Sequence, residues 1–380
     1  MDFKHSETQD MVRQTIRDFA EAELSPGVAE RDEKGIFPGE FVQKLGELGF
    51  MGVTVPEKYN GSGLDMISYA IAVEELARVD ASTAIIVSVQ NSLLGYPLEK
   101  FATEEQKERF LKPIATGEKL GAFSLTEPES GSDAGAMKTT AVLDGDQYIL
   151  NGSKNFTTSG DSCDLMMAFV VTDLKAGTKG TSAFMIEKGT PGFNIGKHEE
   201  KMGIRATDTV SISFEDCRVP AANMIGTEGM GFKIALTALD SGRIGVASQA
   251  LGIAQGAFEE AVKYSKERVQ FKKPIAAFQA TQFKIARMAT EIEAARLLLY
   301  SAAAKKDRQE RFTKEAAMAK LYCSEVAVKT ASEAVQIHGG YGYIKEYPVE
   351  RFLRDSMITT IYEGTNEIMH IVIASQVFGR

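Results

Sequence analysis

The residues whose types and spacing suit chemistry fall in four stretches. The last is "ITTIYEGTNEIMH" (358–370), where Glu363 stands between the apolar pair Ile361-Tyr362 and Gly364. A carboxylate drawn out of water has a raised pKa and becomes a competent proton acceptor near neutral pH. A glycine beside it lets another molecule approach the backbone. The same pattern also suits an ordinary loop acid. In "LDSGRIGVASQALGIAQG" (239–256), Asp240 and Arg243 lie three apart on one helical face, the spacing of an ion pair. Gly242, Gly245, Gly252 and Gly256 weaken that helix by about 1 kcal/mol each relative to alanine. Such a cost is understandable where something packs against the backbone. The loop "LTEPESGSDAG" (125–135) either joins two strands or offers hydroxyls and free amides to a phosphate or a polar ring edge. In "SKERVQFKKPI" (265–275), Arg268, Lys272 and Lys273 flank Phe271 at a helix end, where cations complement the dipole. An arginine beside an aromatic also suits a diphosphate attached to a stacked heterocycle.

Other chemistries find less support. The four histidines form no pair at ligand spacing and no C-x-x-C occurs, so no metal site is expected. "GTEGMGFK" (226–233) has three glycines, but in neither the Walker nor the dinucleotide order. Cys163, Cys217 and Cys323 are odd in number and far apart, which points to a reducing compartment. A net charge of −9 argues against nucleic acid as a partner. The run "STAIIVSV" (82–89) is too short to span a bilayer, and "MDFKHSETQD" lacks the features of a signal peptide, so retention in the cell is expected.

These stretches need elements to position them. A chain of 380 residues is expected to form two or three domains. Residues 1–117 read as helices. "SETQ" (6–9) is a capping box ahead of Val12, Ile16, Phe19 and Leu24; further helices are expected over 40–48, 64–79 from an Asp65 cap, 82–94, and from "TEEQ" (103–106) to Thr116-Gly117. Over 118–225 the period changes to two, with strands at 120–127, 139–152 around Asp144-Gly145, 165–172, 181–188 and 209–216. Several short strands without intervening helices imply a small antiparallel barrel or sandwich. Over 226–380 the helical period returns. Ile285, Met288, Ile292, Ala295 and Leu299 mark one bundle seam, and Met318, Leu321, Val328 and Val335 another, closed by "HGG" (338–340). Pro348 opens a further helix.

Taken together and in this order, the segments "LTEPESGSDAG", "KNFTTSG", "FEDCRVP", "LDSGRIGVASQALGIAQ", "ERVQF", "AVQIHGGYGY", "EYPVERFLRD" and "IYEGTNEI" resemble the acyl-CoA dehydrogenase family over the whole chain, most closely its short-chain (butyryl-CoA) branch. The resemblance implies an α+β protein: an N-terminal all-α domain, a middle antiparallel β-barrel domain and a C-terminal four-helix bundle. It implies FAD as cofactor, a homotetramer built as a dimer of dimers, and an electron-transferring flavoprotein as partner. By resemblance, Phe123, Leu125, Thr126 and Ser132 lie near the flavin, with Phe156 and Thr158 covering its ring. Arg268, Gln270, Phe271 and Gln279 match the segment reaching the FAD of a neighbouring subunit. Gln336, Gly339 and Gly340 match adenosine-diphosphate contacts, and Thr365, Asn366 and Glu367 the turn after the base. Ser132, Asp240, Arg243, Tyr362 and Gly364 fall at acyl-CoA positions, with Gly364 leaving room for the thioester. Glu363 matches the catalytic base.

The implied reaction converts a short acyl-CoA to the trans-2-enoyl-CoA. Relatives acting on branched or longer acyl-CoA, and crotonyl-CoA reduction in the reverse direction, are the alternatives. The expected location is the cytoplasm for a bacterial chain, or the mitochondrial matrix for a processed eukaryotic one. The sequence departs from the family pattern at Phe156, where tryptophan is frequent, and at Lys272, where glycine is common. Met369-His370 replaces the usual polar-basic pair. Some branches carry the base on the Asp-to-Arg helix; that position is Gly242 here, so Glu363 has no rival.

Overall fold

In the computed structural model, residues 4–379 are described. The first helix, α1 (Glu7–Phe19), starts at the expected capping box, in which Gln9 N–H donates to Ser6 Oγ (3.2 Å) and Ser6 N–H to Gln9 Oε1 (3.0 Å). One π-helical turn, Ala20–Leu24, separates it from α2 (Val28–Lys34), a helix the apolar spacing did not announce, and α3 (Gly39–Glu47) follows. The carboxylate of Asp65 accepts Ser68 N–H (2.7 Å) to open α4 (Met66–Ala77). Asp80 caps α5 (Ala81–Val89) in the same way. The helix expected over 82–94 changes register at Gln90–Gly95, a π-helical segment, before α6 (Tyr96–Phe101). Short α7 (Glu104–Gln106) and α8 (Lys112–Ala115) complete this region.

The middle region is one sheet of eight strands: β1 (Gly121–Ser124), β2 (Thr140–Asp144), β3 (Gln147–Thr158), β4 (Leu165–Val171), β5 (Thr181–Glu187), β6 (Phe193–His198), β7 (Thr209–Pro220) and β8 (Met224–Ile225). The order is β6-β7-β3-β2-β4-β5-β8, with β1 beside β4. Neighbours run antiparallel except at β4, which pairs with β1 and, at one residue, with β2 in parallel. Weak alternation left β6 and β8 unannounced.

The C-terminal region holds α9 (Gly231–Glu267), the hairpin β9 (Val269–Gln270) and β10 (Lys273–Pro274), α10 (Gln279–Asp307), α11 (Thr313–His338), α12 (Val349–Ile358) and α13 (Asn366–Val377). On α10 the expected seam is buried except for half-buried Ile285. On α11 the expected seam is corrected: Met318, Leu321, Val328 and Val335 are only half-buried. The packed face is instead Ala316, Ala319, Lys320, Cys323, Ala327, Ala331 and Ala334. Small side chains let α11 approach α9 closely, so the large apolar residues are pushed to the flanks. Against α9 lies the backbone of α4: a Cβ on Gly252 would overlap Glu74 O, and one on Gly256 would overlap Arg78 O. The glycines of α9 are therefore explained by neighbouring protein. One large apolar core joins the first and last regions with one face of the sheet, and a second lies on the other face. Among the described residues no helix is long and apolar enough to cross a membrane.

Candidate active site

Glu363 sits on the turn between α12 and α13. Asn366 N–H donates to Thr360 O (3.0 Å), and Thr365 caps α13 through Ile368 N–H (3.4 Å). Closing the chain this tightly requires two successive left-handed residues, Glu363 (φ 53°) and Gly364 (φ 97°). A side chain at the first of these costs about 1 kcal/mol. In exchange the carboxylate is aimed at α9, into the space that the missing side chain of Gly242 leaves. A Cβ on Gly242 would overlap Glu363 Oε2 and crowd Leu93. The residue as a whole is half-buried, yet Oε2 is shielded from solvent and has no hydrogen-bond partner among the described residues. Burial pushes the carboxyl up to about 8, against the opposing pull of Arg243 and Lys320.

The surroundings are polar but committed elsewhere. Arg243 is buried and donates through Nη1 to Asp240 Oδ1 (2.6 Å), while Thr313 Oγ1 donates to Asp240 Oδ2 (2.7 Å). The expected ion pair on one helix face is thus present. Tyr362 hydroxyl meets Gln249 Oε1, and Gln249 Nε2 donates to Ala81 O (2.8 Å). One turn along α9, a Cβ on Gly245 would overlap Ser88 Oγ and Tyr69 Oη. Gly364 has a sufficient reason within the chain itself. Its φ favours glycine, and a Cβ there would meet the Met369 methyl at 2.7 Å. Met369, opaque in the sequence, is the buried floor of the turn.

The 90–95 segment connects this turn to the sheet. Leu93 faces Gly242, while Gln90 makes paired bonds to β1, from Nε2 to Gly121 O and from Gly121 N–H to Oε1 (2.8 Å each). Strand β1 leads into the 125–135 loop, whose anchor is Glu127. Its carboxylate accepts Lys154 Nζ (2.8 Å), Lys138 N–H (2.6 Å) and Thr139 N–H (3.0 Å). Asn155 N–H donates to Thr126 O (2.8 Å), and the Ser124 and Thr157 hydroxyls meet at 2.9 Å. Phe123, Leu125 and Thr126 are thereby set beside Phe156 and Thr158 of β3. Phe156 is 61% exposed at φ 53°, and Ser132 is exposed on the open part of the loop.

A cleft of about 520 Å³ brings Arg268, Gln270, Gly339 and Gly340 together with Tyr264, His338 and Tyr341. The Arg268 guanidinium lies 5.3 Å from the Tyr341 ring centre. Arg268 caps α9, but the residues after it form a hairpin, not a helix end. Phe271 and Lys272 are its tip, both left-handed (φ 52° and 65°), which is the type I′ geometry that favours glycine. Phe271 is 87% exposed. Phe271, Gln279 and Gln336 do not line the cleft, and Glu367 is exposed at the start of α13.

These features suit a large ligand with an aromatic ring and a charged linker. Two aromatic side chains stand open, glycines 339 and 340 face free space, and an arginine lines the same cleft. Family descriptions match the chain in three parts: acyl-CoA dehydrogenase N-terminal domain over 6–118, middle domain over 122–217 and C-terminal domain over 229–378. The chain belongs to the acyl-CoA dehydrogenase family. It is 51% identical over 378 residues, all of both chains, to the short-chain specific acyl-CoA dehydrogenase of Clostridium acetobutylicum. The solved butyryl-CoA dehydrogenase of Megasphaera elsdenii superimposes with a TM-score of 0.98 at 51% identity, covering all of both chains. A chain solved in work on the electron transferring flavoprotein of Acidaminococcus fermentans gives 0.99 at 52% identity, again over all of both. This acyl-CoA dehydrogenase uses FAD, and the open aromatics and the arginine-glycine cleft fit that cofactor.

Sequence reasoning missed three contributors: Lys320, the Glu127–Lys154 pair and Gln249. Lys320 was findable, because it shares a helix face with Ala316, Cys323 and Ala327. Lys154 interrupts an alternating strand, and nothing local points it at Glu127.

Proposed function

We propose that this acyl-CoA dehydrogenase oxidises a short straight-chain acyl-CoA of the butyryl type to the trans-2-enoyl-CoA, with Glu363 taking the α-proton. The observation that carries this reading is the unpartnered Glu363 Oε2 beside Gly242. The α-hydrogen of a thioester is a weak acid, so its acceptor must be more basic than an ordinary carboxylate. Burial does this for Glu363, and Arg243 and Lys320 keep the ionised form accessible. Charge gathers on the thioester oxygen as the proton leaves, and the Glu363 backbone N–H is the donor offered to it. Bound FAD supplies the acceptor for the β-hydride.

Phe123, Leu125, Thr126, Ser132, Phe156 and Thr158 would hold the flavin end of the cofactor. Arg268, Gln270, Phe271 and Gln279, with Gln336, Gly339 and Gly340, would hold the diphosphate and adenosine end, and Thr365, Asn366 and Glu367 would edge the turn. Asp240, Arg243 and Tyr362 would meet the acyl-CoA. Tyr69, Ser88, Tyr362 and Gln249 fill the space along α9 beyond Gly242, which favours a short acyl group. We assign an electron-transferring flavoprotein as electron partner, and a homotetramer in which the exposed Phe271 lies against a second copy. Specific activity over C4 to C16 acyl-CoA with an artificial electron acceptor tests the substrate: a maximum at C4 is expected, and one at C8 or beyond overturns the short-chain reading.

A further inference from the structure

Lys320 has no exposed surface, yet it lies in the middle of α11 among alanines. A buried ammonium is costly unless it is paired, and pairing is usually to a carboxylate. Lys320 instead donates to two neutral oxygens, Gly364 O (2.8 Å) and Asn366 Oδ1 (2.9 Å). Asn366 is held in turn by Ser324 Oγ (3.1 Å). Both acceptors belong to the turn that carries Glu363, and that turn has two successive left-handed residues. It needs an anchor outside itself, and α11 provides one.

The geometry points to Lys320 as the positioning residue of the base: its ammonium ties the Glu363–Gly364 turn to α11 and keeps a positive charge beside the carboxylate. This rests on the reading of Glu363 given above. The charged groups that act on Lys320 are Glu363, Arg243 and Glu367; those on Glu363 are Arg243 and Lys320. Arg243 is already tied to Asp240, and Glu367 is exposed. Tyr69 and Tyr362 also lie near Glu363, but burial raises both and leaves them neutral. Lys320 therefore combines a hydrogen bond to the turn with a field on the carboxylate. Burial pushes Lys320 down to about 7 and Glu363 up to about 8, and each pulls the other back toward its charged form; Lys320 carries its charge below about 7 and remains a neutral donor to the turn above it.

The test uses the FAD-loaded enzyme with Lys320→Met and Lys320→Gln. Methionine fills the space of the stem without charge or donor; glutamine keeps a donor for Gly364 O. For Lys320→Met we expect kcat to fall at least about tenfold with KM within about twofold, since the base is misplaced but the acyl-CoA contacts remain. The acid limb of the kcat profile should move up, because removing a neighbouring group that is partly cationic disfavours the carboxylate. Lys320→Gln should recover part of kcat and keep the shifted limb. Infrared titration of the Glu363 carboxyl in substrate-free enzyme, with Glu363→Gln as blank, should show the same upward shift without turnover. If Lys320→Met does not fold, Lys320→Gln and its infrared titration decide. An unmoved limb and an unmoved carboxyl titration, with only the melting temperature lowered, would overturn the inference. If Glu363→Gln itself turns over, the base assignment fails instead; if it is dead while the limb stays put, only the role of Lys320 falls.

Discussion

Glu127, in the loop after β1, and Glu363, on the turn before α13, are both glutamates withdrawn from solvent. Glu127 is 6% exposed and accepts hydrogen bonds from a buried lysine and two backbone amides. Although burial opposes it, Lys154 and the amides hold its carboxyl below the usual range. Glu363 has two cations near it but, among the described residues, no donor on Oε2, and its carboxyl stands far above that range. The same side chain is thus a fixed anion in one place and, on the proposed reading, a proton acceptor in the other. Burial raises both, but at Glu127 the paired lysine and the donors outweigh it, while at Glu363 no donor among the described residues opposes it. Glu127 secures the 125–135 loop, and Glu363 is left unsatisfied among the described residues, which is what the proposed base requires.

The sharpest way to break this contrast is Glu363→Gln. Turnover with butyryl-CoA should fall by about 10³-fold, within the range for loss of a general base, while FAD content stays at the parental level. Glu127→Gln should do the reverse. It strands Lys154, whose own pKa burial already lowers, at a cost of about 3 kcal/mol. A melting temperature lowered by several degrees, with activity per FAD-loaded subunit largely kept, is the expected outcome; Glu127→Met with Lys154→Met should recover much of the stability. Gly242→Ala takes the space of the Glu363 carboxylate and should lower kcat by about 10- to 100-fold, because a base displaced by an ångström loses alignment. A further contrast concerns stability against pH. Between the ordinary carboxylate value and about 8, folded Glu363 keeps a proton that the unfolded chain has lost, so its contribution declines as pH rises through that window. Glu363→Gln should therefore melt above the parent at pH 9, with the gap closing toward pH 5. Glu127 has the opposite sign: its contribution is present above the ordinary carboxylate range and is lost as pH falls through its depressed value.

Much of the fold was legible because its signals are local. The capping boxes at Ser6 and Thr103 and the Asp65 cap each formed where the sequence put them. The α10 seam followed its spacing. The α11 seam did not, since periodicity of large apolar residues misses a face packed by alanine and one lysine. The hairpin after α9 hid behind its basic residues, and Lys272 stands at a left-handed position where the family's common glycine would rest without strain.

At the site, residue types carried half of the information. "YEGTNE" named an acid beside a glycine, "LDSGR" named an ion pair, and the glycines of α9 announced close packing. By itself the sequence determined which groups were available and which local turns they would take, because caps, left-handed positions and helical spacing depend on neighbours along the chain. Only the tertiary structure decided that Glu363 Oε2 would fill the place of a side chain at Gly242, that Lys320 would hold its turn, and that Glu127 would be paired while Glu363 was not. A pKa is set by the water and donors around a group, and those are brought there by segments distant in the chain.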